Sequence, residues 1–210
     1  MATRSTKQQG GATEGFDGGR ARILDAAARL FREHGYAAVS LRAIAAEAGM
    51  QGGSLYHHFR GKEEIVSAVL DLGILRVHEA VDAALAGLPP EASLSDAIHA
   101  AAAAHLEALL SHSDHTSANV RIFGQVPARV REGNKTVRRA YEALWSDLLD
   151  RAVTAGALRP GLDRRLARRA LIGALNATLE WFDPDRMSPA HLATAYADLF
   201  LHGILKEPAR

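Results

Sequence analysis

Residues 39–62 hold the pattern that most restricts how this chain folds: two short helical segments on either side of a tight glycine turn. The first segment begins at Ser40, a residue type that caps helix N-termini, and ends at Gly49. Its apolar positions recur with helical spacing and are Leu41, Ile44, Ala45 and Ala48. The second segment covers residues 51–58. Two short helices joined in this way form a helix-turn-helix, which the pattern therefore predicts.

The composition of the whole chain favours an all-α fold. Hydrophobic residues make up 48% of the 210 residues and charged residues 23%, which is enough apolar material for a sizeable core. Alanine dominates the apolar set and β-branched residues are sparse, as suits closely packed helices. Turn signals at residues 87–90 and 156–161 separate the periodic segments. The sequence predicts nine helices and no strand: a three-helix N-terminal domain followed by a six-helix bundle.

Three segments follow from this pattern. Residues 1–19 are rich in Gly, Thr, Ser and Gln and lack the apolar run of a signal peptide, so we predict a disordered arm. Residues 20–62 form the helix-turn-helix domain and residues 63–210 the bundle. No segment offers about 18 uninterrupted apolar residues, so no transmembrane helix is expected. The chain has no cysteine, which excludes a disulfide framework and thiolate catalysis and predicts a cytoplasmic protein.

Positive charge is concentrated in the N-terminal domain. Residues 20–62 contain seven Arg and Lys against three Asp and Glu, although the whole chain has a formal net charge of only +1. The bundle is therefore acidic. A basic domain joined to an acidic body predicts nucleic-acid binding at one end of the molecule. Chance is the alternative explanation for a local excess of this size.

The motif residues resemble a known family. Ser-Leu-Arg-Ala-Ile-Ala-Ala-Glu-Ala-Gly at residues 40–49, followed by Gly-Ser-Leu-Tyr-His-His-Phe at 53–59 and Gly-Lys-Glu-Glu at 61–64, is similar to the N-terminal domain of TetR-family transcriptional regulators. The similarity covers roughly residues 20–70. It implies a homodimeric repressor that binds a palindromic operator and is released by a small, largely apolar effector. The second half of the chain also resembles regulators that sense acyl-CoA thioesters.

A set of small, polar and basic residues is predicted to contact DNA. Small residues at the front of the second helix permit close approach to the major groove, and Gln51 has the geometry to pair with adenine. Leu55 and Phe59 are expected to face inward, so that Tyr56 and His57 project outward toward phosphates. The resemblance implies the same phosphate role for Tyr56, His57 and Lys62. The full predicted set is Ser40, Arg42, Gln51, Gly52, Gly53, Ser54, Tyr56, His57 and Lys62.

Effector-binding candidates are polar or aromatic residues within apolar stripes of the bundle, where helical proteins place ligand pockets. They are Arg121, Phe123, Tyr141, Trp145, Asn176, Glu180 and Trp181. We expect Arg121 to meet an anionic part of the effector, and Trp145 and Trp181 to line its apolar part. Each has an ordinary interpretation as well: a surface arginine or a dimer-interface tryptophan. His105 is interpreted in the same way as a core histidine.

Other functions find less support in the sequence. Adjacent His57 and His58 point about 100° apart on a helix, so they do not predict a metal site. His112 and His115 flank Asp114, which more simply marks a helix end. We expect neither a metal nor a cofactor. The alternatives that stay open are a multidrug-sensing repressor, an activator or constitutive DNA binder, and a helical-bundle enzyme, although no nucleophile–base constellation supports the enzyme.

Overall fold

The computed structural model describes residues 11–111 and 114–205, with side chains from residue 18 onward. Within this part of the chain the structure is all-α, as predicted, with one isolated β-bridge between Leu158 and Leu205 and no strand. In chain order the helices are α1 (Gly11–Ala38), α2 (Leu41–Glu47), α3 (Gly52–Leu55), α4 (Lys62–Ala86), α5 (Leu94–Leu110), α6 (Asp114–Ile122), α7 (Ala128–Gly133), α8 (Lys135–Thr154), α9 (Arg164–Ala177) and α10 (Pro189–Ile204).

The prediction of six helices after the N-terminal domain is wrong by one, because seven lie within the described residues. The additional helix is α7, which begins after Pro127 and ends at Asn134. Proline fixes its own φ and favours a helix start. Asn134 is fully buried, and its amide donates to the Asp71 carboxylate at 2.7 Å. This tertiary hydrogen bond, between residues far apart in sequence, separates α7 from α8.

The apolar segment at residues 166–182, whose spacing predicts one helix, does not form a single α-helix. Helix α9 stops at Ala177, and a 3₁₀ turn covers Thr178–Glu180. The buried Thr178 hydroxyl donates to the Leu175 carbonyl at 2.5 Å. Such a local side-chain hydrogen bond competes with the α-helical pattern, which explains the change of geometry.

The bounds of α1 differ from the sequence division as well. Residues 1–10 of the predicted arm lie outside the described residues, whereas α1 already begins at Gly11. Extending an existing helix forms one hydrogen bond for each residue that it orders. Lengthening the amphipathic helix that begins near residue 20 toward the N-terminus therefore has a small free-energy cost. At its other end, Gly35 has φ 76°, a conformation that favours glycine, and breaks the helix. The Tyr36 N–H that follows donates to the Gln125 side chain at 2.9 Å.

Two hydrophobic cores organise the molecule, and α4 contributes to both. Its first half, including Ile65 and Val69, packs with α1, α2 and α3. Its second half, including Val77 and Val81, packs with α5, α8, α9 and α10. Helix α6 adds Ile122 to the first core. The N-terminal packing unit therefore extends past residue 62 and is continuous with the body through α4 and α6.

Helices α4 and α6 cross closely at Gly73. A Cβ atom placed there would lie 2.4 Å from the His115 carbonyl oxygen, a backbone atom that has little room to shift. At the same crossing, the Asn119 side-chain amide donates to the Leu70 carbonyl at 2.6 Å. The crossing connects the N-terminal core with the body. None of the helices among the described residues is long and apolar enough to cross a membrane.

Candidate nucleic-acid interface and effector cavity

The helix-turn-helix is held by caps and a left-handed glycine. Ser40 caps α2 by accepting a hydrogen bond from the Ala43 N–H at 3.1 Å, as its residue type predicts. Gly49 has φ 65°, a conformation that favours glycine, and it turns the chain toward α3. The Met50 N–H donates to the Ala45 carbonyl at 2.9 Å and fixes the turn. The angle between the two short helices is therefore set by local backbone chemistry.

The inward anchors of α3 lie where the sequence places them. Leu55 and Phe59 are each only 1% exposed and belong to the N-terminal core. The guanidinium of Arg20 on α1 lies 4.7 Å from the centre of the Phe59 ring. These contacts orient a helix of only four residues that has little stability of its own.

Helix α3 is shorter than the predicted segment over residues 51–58. It spans Gly52–Leu55, and the chain continues through tight turns in which the Tyr56 N–H bonds the Gly53 carbonyl and the His57 N–H bonds the Ser54 carbonyl. Two adjacent glycines lower helix stability by about 1 kcal/mol each relative to alanine, which explains the short helix. Tertiary packing of Leu55 and Phe59 holds the remaining turns in place.

The front of α3 presents an open surface. Gln51 is exposed at the N-cap position, and its side chain makes no capping hydrogen bond. Apart from its chain neighbours and its own helix, a Cβ atom on Gly52 or Gly53 would meet no atom of the described residues within 4 Å. The packing of the protein therefore does not require glycine at these positions. Small residues here leave room for a partner to approach the backbone from outside.

Polar groups surround this open front. Tyr56 is 62% exposed, His57 and Arg42 are also exposed, and Ser54 is half-buried. The ammonium group of Lys62 lies 4.2 Å from the centre of the Tyr36 ring at the start of α4, and partial burial lowers the pKa of this group. Ser40 is exposed, although its hydroxyl also serves as the α2 cap. The structure thus brings the whole predicted DNA-contacting set to one end of the molecule.

Deep in the body, three polar residues form a buried network. The His105 ring accepts or donates at both nitrogens: Nδ1 lies 2.5 Å from the Tyr141 hydroxyl and Nε2 lies 3.2 Å from Asn176 Oδ1. Burial lowers the pKa of His105 to about 4, so the ring is neutral near pH 7, and burial raises the pKa of Tyr141. A neutral ring with Nε2–H donating to Asn176 accepts the Tyr141 hydroxyl hydrogen bond at Nδ1.

This network borders a central cavity of about 60 Å³ between α4, α5, α6, α8 and α9. Trp145 does not line the cavity: it is 1% exposed and packs edge-on against Tyr141, with ring centres 6.4 Å apart. Phe123 packs with the N-terminal core and lies under the guanidinium of Arg138, 3.9 Å from it. Of the predicted effector residues, Tyr141 and Asn176 are the two that line this cavity.

Two other candidates lie away from the cavity. Glu180 and Trp181 are exposed, the tryptophan by 53%. Sequence spacing puts Glu180 on the same face as Asn176 only if the α-helix continues, and α9 ends at Ala177. The predicted role of Trp181 in lining the apolar part of a pocket therefore finds no support in this geometry. Its exposure agrees with the alternative interpretation as an interface residue.

Arg121 borders a separate groove of about 460 Å³, which we call the junction groove. The groove lies between the N-terminal domain and the body and is lined by Arg32 of α1, Leu109 of α5, Ser117 and Arg121 of α6, and Phe182 after α9. Arg32 pairs with Asp114 at 3.1 Å. No ion pair involves the exposed Arg121 side chain among the described residues. A larger pocket of about 560 Å³ beside α9 is lined by charges that already pair with each other, such as Arg164 with Asp150.

Arg138 was not predicted from the sequence. This residue lines the central cavity one helical turn before Tyr141, so it shares a helix face with a predicted effector residue. The spacing of three residues between Arg138 and Tyr141 was the sequence signal that could have identified Arg138 as a cavity residue. Among the described residues, no group of three or more His, Asp or Glu side chains is arranged to hold a metal ion, and His112 lies outside that part.

Comparisons with known proteins agree with this architecture. Residues 23–69 match the family described as bacterial regulatory proteins, tetR family, and residues 91–204 match the tetracyclin repressor-like C-terminal domain. The HTH-type transcriptional repressor KstR2 of Mycobacterium tuberculosis is 30% identical over 194 residues, covering 90% of this chain and 94% of that protein.

Solved structures show the same fold. The TetR-family regulator PfmR from Thermus thermophilus superposes with a TM-score of 0.75 at 31% identity, covering 90% of this chain and 98% of that one. AibR, in complex with isovaleryl coenzyme A and operator DNA, has a TM-score of 0.77 at 22% identity, covering 86% and 97% of the two chains. The matched domains and the relatives are regulators and not enzymes. This chain belongs to the TetR family of bacterial regulatory proteins.

Proposed function

We propose that this protein is a cytoplasmic, non-enzymatic transcriptional repressor that binds a palindromic operator as a homodimer and leaves it when an effector enters the body. The observation that carries the proposal is the open front of α3, where Gln51 and two glycines lie beside exposed Tyr56 and His57. An α-helix with a small front and polar flanks fits the major groove of B-DNA. The relatives named as repressors support the same role.

Exposed leucines on the last two helices support the homodimer. Leu166 of α9 is 64% exposed and Leu199 of α10 is 72% exposed, and both border one shallow groove. Large apolar side chains on neighbouring helices are stabilised when a second copy covers them, and two-fold dimers are the commonest oligomers. A dimer also presents two α3 helices to the two halves of a palindrome.

We propose an acyl-CoA as the effector class. The solved complex of AibR holds isovaleryl coenzyme A, and the junction groove of this chain combines apolar walls with the uncompensated Arg121. A guanidinium binds carboxylate or phosphate far better than it binds a neutral group. A thermal-shift comparison of acyl-CoAs with cationic drugs tests the class against the multidrug alternative, since binding to the native state alone raises the melting temperature.

Gln51 is expected to specify sequence, whereas Tyr56 and Lys62 position the protein on the phosphates. Gln51→Ala should cost about 1–3 kcal/mol at one base pair of each half-site, because alanine cannot form the bidentate hydrogen bonds to adenine. Tyr56→Phe and Lys62→Ala should weaken binding to all sequences alike. Titrations against a set of singly substituted operators measure both effects. An equal loss on every sequence for Gln51→Ala would place that side chain on the backbone.

Arg121 is expected to set effector sensitivity without affecting DNA affinity. Arg121→Ala should raise the effector concentration for half-release about tenfold, since a hydrogen bond to a charged group contributes about 1.5 kcal/mol or more. Operator affinity without effector should stay unchanged because the residue lies in the body. Release titrations with an acyl-CoA measure this, with the exposed Arg139→Ala on α8 as the control. Identical titration curves for both variants would remove Arg121 from the site.

A further inference from the structure

The central cavity is more polar than an alkyl chain requires. One wall is apolar, but α5, α6, α8 and α9 contribute His105, Asn119, Arg138, Tyr141, Glu142 and Asn176. Most of these groups already bond to protein groups, and the buried Nε of Arg138 is the one without a hydrogen-bond partner among the described residues that line the cavity. The cavity therefore suits a polar part of a ligand.

Arg138 is the cation of this cavity and has weak partners. Its guanidinium lies 3.2 Å from Asn119 Oδ1, 3.4 Å from Asn134 Oδ1, and over the Phe123 ring. No carboxylate among the described side chains forms an ion pair with it, and its buried Nε has no hydrogen-bond partner. The nearby Glu142 carboxylate pairs with Arg168 at 2.8 Å instead. Glu142 also lines the cavity and acts electrostatically on Arg138 without a direct ion pair, so the guanidinium is the group in this cavity that favours an incoming acceptor oxygen.

Asn176 adds a second donor. Asn176 Oδ1 lies 3.2 Å from His105 Nε2, and in the tautomer in which the ring donates there, the amide N–H groups of Asn176 are its remaining donors. In the same tautomer His105 Nδ1 accepts a hydrogen bond from the Tyr141 hydroxyl. Residues with donor groups on α8 and α9 therefore line the same small space.

We propose that the central cavity binds a carbonyl or carboxylate oxygen of the effector, with Arg138 and Asn176 as the donors. This inference rests on the proposed function and specifies what the effector must contain. The volume of about 60 Å³ is small beside the 460 Å³ of the junction groove, so the cavity suits one polar group of a ligand better than a whole acyl chain. The junction groove is lined by other residues of the same helices α5 and α6.

The oxygen has two possible sources in an acyl-CoA: the thioester carbonyl, or a carbonyl or carboxylate at the far end of the chain. Three ligands of equal chain length separate them: a fatty acyl-CoA, the S-alkyl-CoA thioether that lacks the carbonyl, and the ω-carboxyacyl-CoA. Calorimetric titration of the full-length protein without DNA gives their affinities. A thioester source predicts thioether binding about 10–100-fold weaker than the fatty acyl-CoA, and a chain-end source predicts ω-carboxy binding tighter by the same factor.

Equal affinities for all three ligands would overturn the inference while leaving the acyl-CoA proposal standing. No binding by any of them would overturn the acyl-CoA class itself, and the cavity assignment with it. The two failures are therefore distinguishable.

Repeating the three titrations with the Arg138→Met variant tests whether Arg138 binds the ligand oxygen. Arg139→Met is the matched control, because Arg139 lies on the exposed face of the same helix. The Arg138 variant should lose the affinity difference that depends on the oxygen, and the control should keep it. The melting temperature of the unliganded Arg138 variant should fall somewhat, because the Asn119 and Asn134 side chains lose a donor, so the affinity difference between ligands is the deciding measurement. A lower melting temperature with unchanged discrimination would show a purely structural role. If this variant does not fold, Asn176→Leu provides the same comparison.

Discussion

Operator binding is expected to weaken about 10³–10⁵-fold between 50 and 200 mM salt, if the dimer neutralises roughly 6–10 phosphates. The reason is counterion release: each Lys or Arg that meets a phosphate frees a condensed cation, and added salt opposes that release. Arg42 and Lys62 lie beside α3 at the end of the molecule that carries the excess positive charge. The acidic body contributes no compensating attraction.

Fluorescence anisotropy of a labelled duplex across this salt range measures the slope of log affinity against log salt. Lys62→Ala should reduce the slope by about one for each phosphate that the ammonium group no longer neutralises. Lys135→Ala is the control, because Lys135 lies at the start of α8 and pairs with Glu132 at 2.6 Å. An affinity independent of salt would contradict the assignment of this end of the molecule to DNA.

Acidification is expected to destabilise the protein through His105, by about 2 kcal/mol at pH 5 and about 3 kcal/mol at pH 4. Burial lowers the pKa of this ring from 6.5 to about 4, so the native state resists protonation. Between these two values the unfolded chain binds more protons than the native state. Stability is therefore complete above about pH 6.5 and falls as the pH decreases toward 4.

Urea unfolding at a series of pH values measures the loss. His105→Gln removes the titrating ring, so the difference in slope between this variant and the parent isolates the His105 contribution from that of His115, whose pKa is also lowered by burial. The exposed His191→Gln should follow the parent. If His105→Gln loses stability with acid as steeply as the parent does, His105 is not the group responsible.

Local features of this protein followed from the sequence because they depend on neighbouring residues. Ser40 and Ser188 cap the helices that they precede, and Ser93 forms a capping box with Asp96. Gly35 and Gly49 break the chain with positive φ. A cap needs only a hydroxyl and the next turn of backbone, and a left-handed turn needs only the absence of a Cβ atom. The helix-turn-helix is built from such features, and its resemblance to a known family was therefore visible without coordinates.

Element boundaries decided by distant partners did not follow from the sequence. The division between α7 and α8 depends on the hydrogen bond from Asn134 to Asp71 across 63 residues. The continuity of the N-terminal core through α4 and α6 depends on Ile65 and Ile122, which lie in separate helices. Periodicity shows that a face is apolar but does not show which other face covers it.

The effector end shows the same distinction most clearly. The sequence pointed to Tyr141 and Asn176, whose polar groups in apolar stripes the structure places beside one cavity. It also pointed to Trp181, which is exposed, and not to Arg138, which is largely buried against Phe123 and the cavity. The sequence alone does not distinguish an arginine on a solvated helix face from an arginine that lines a pocket. Only the packing of five helices around one space decides which arginine is largely removed from water and placed beside a cavity.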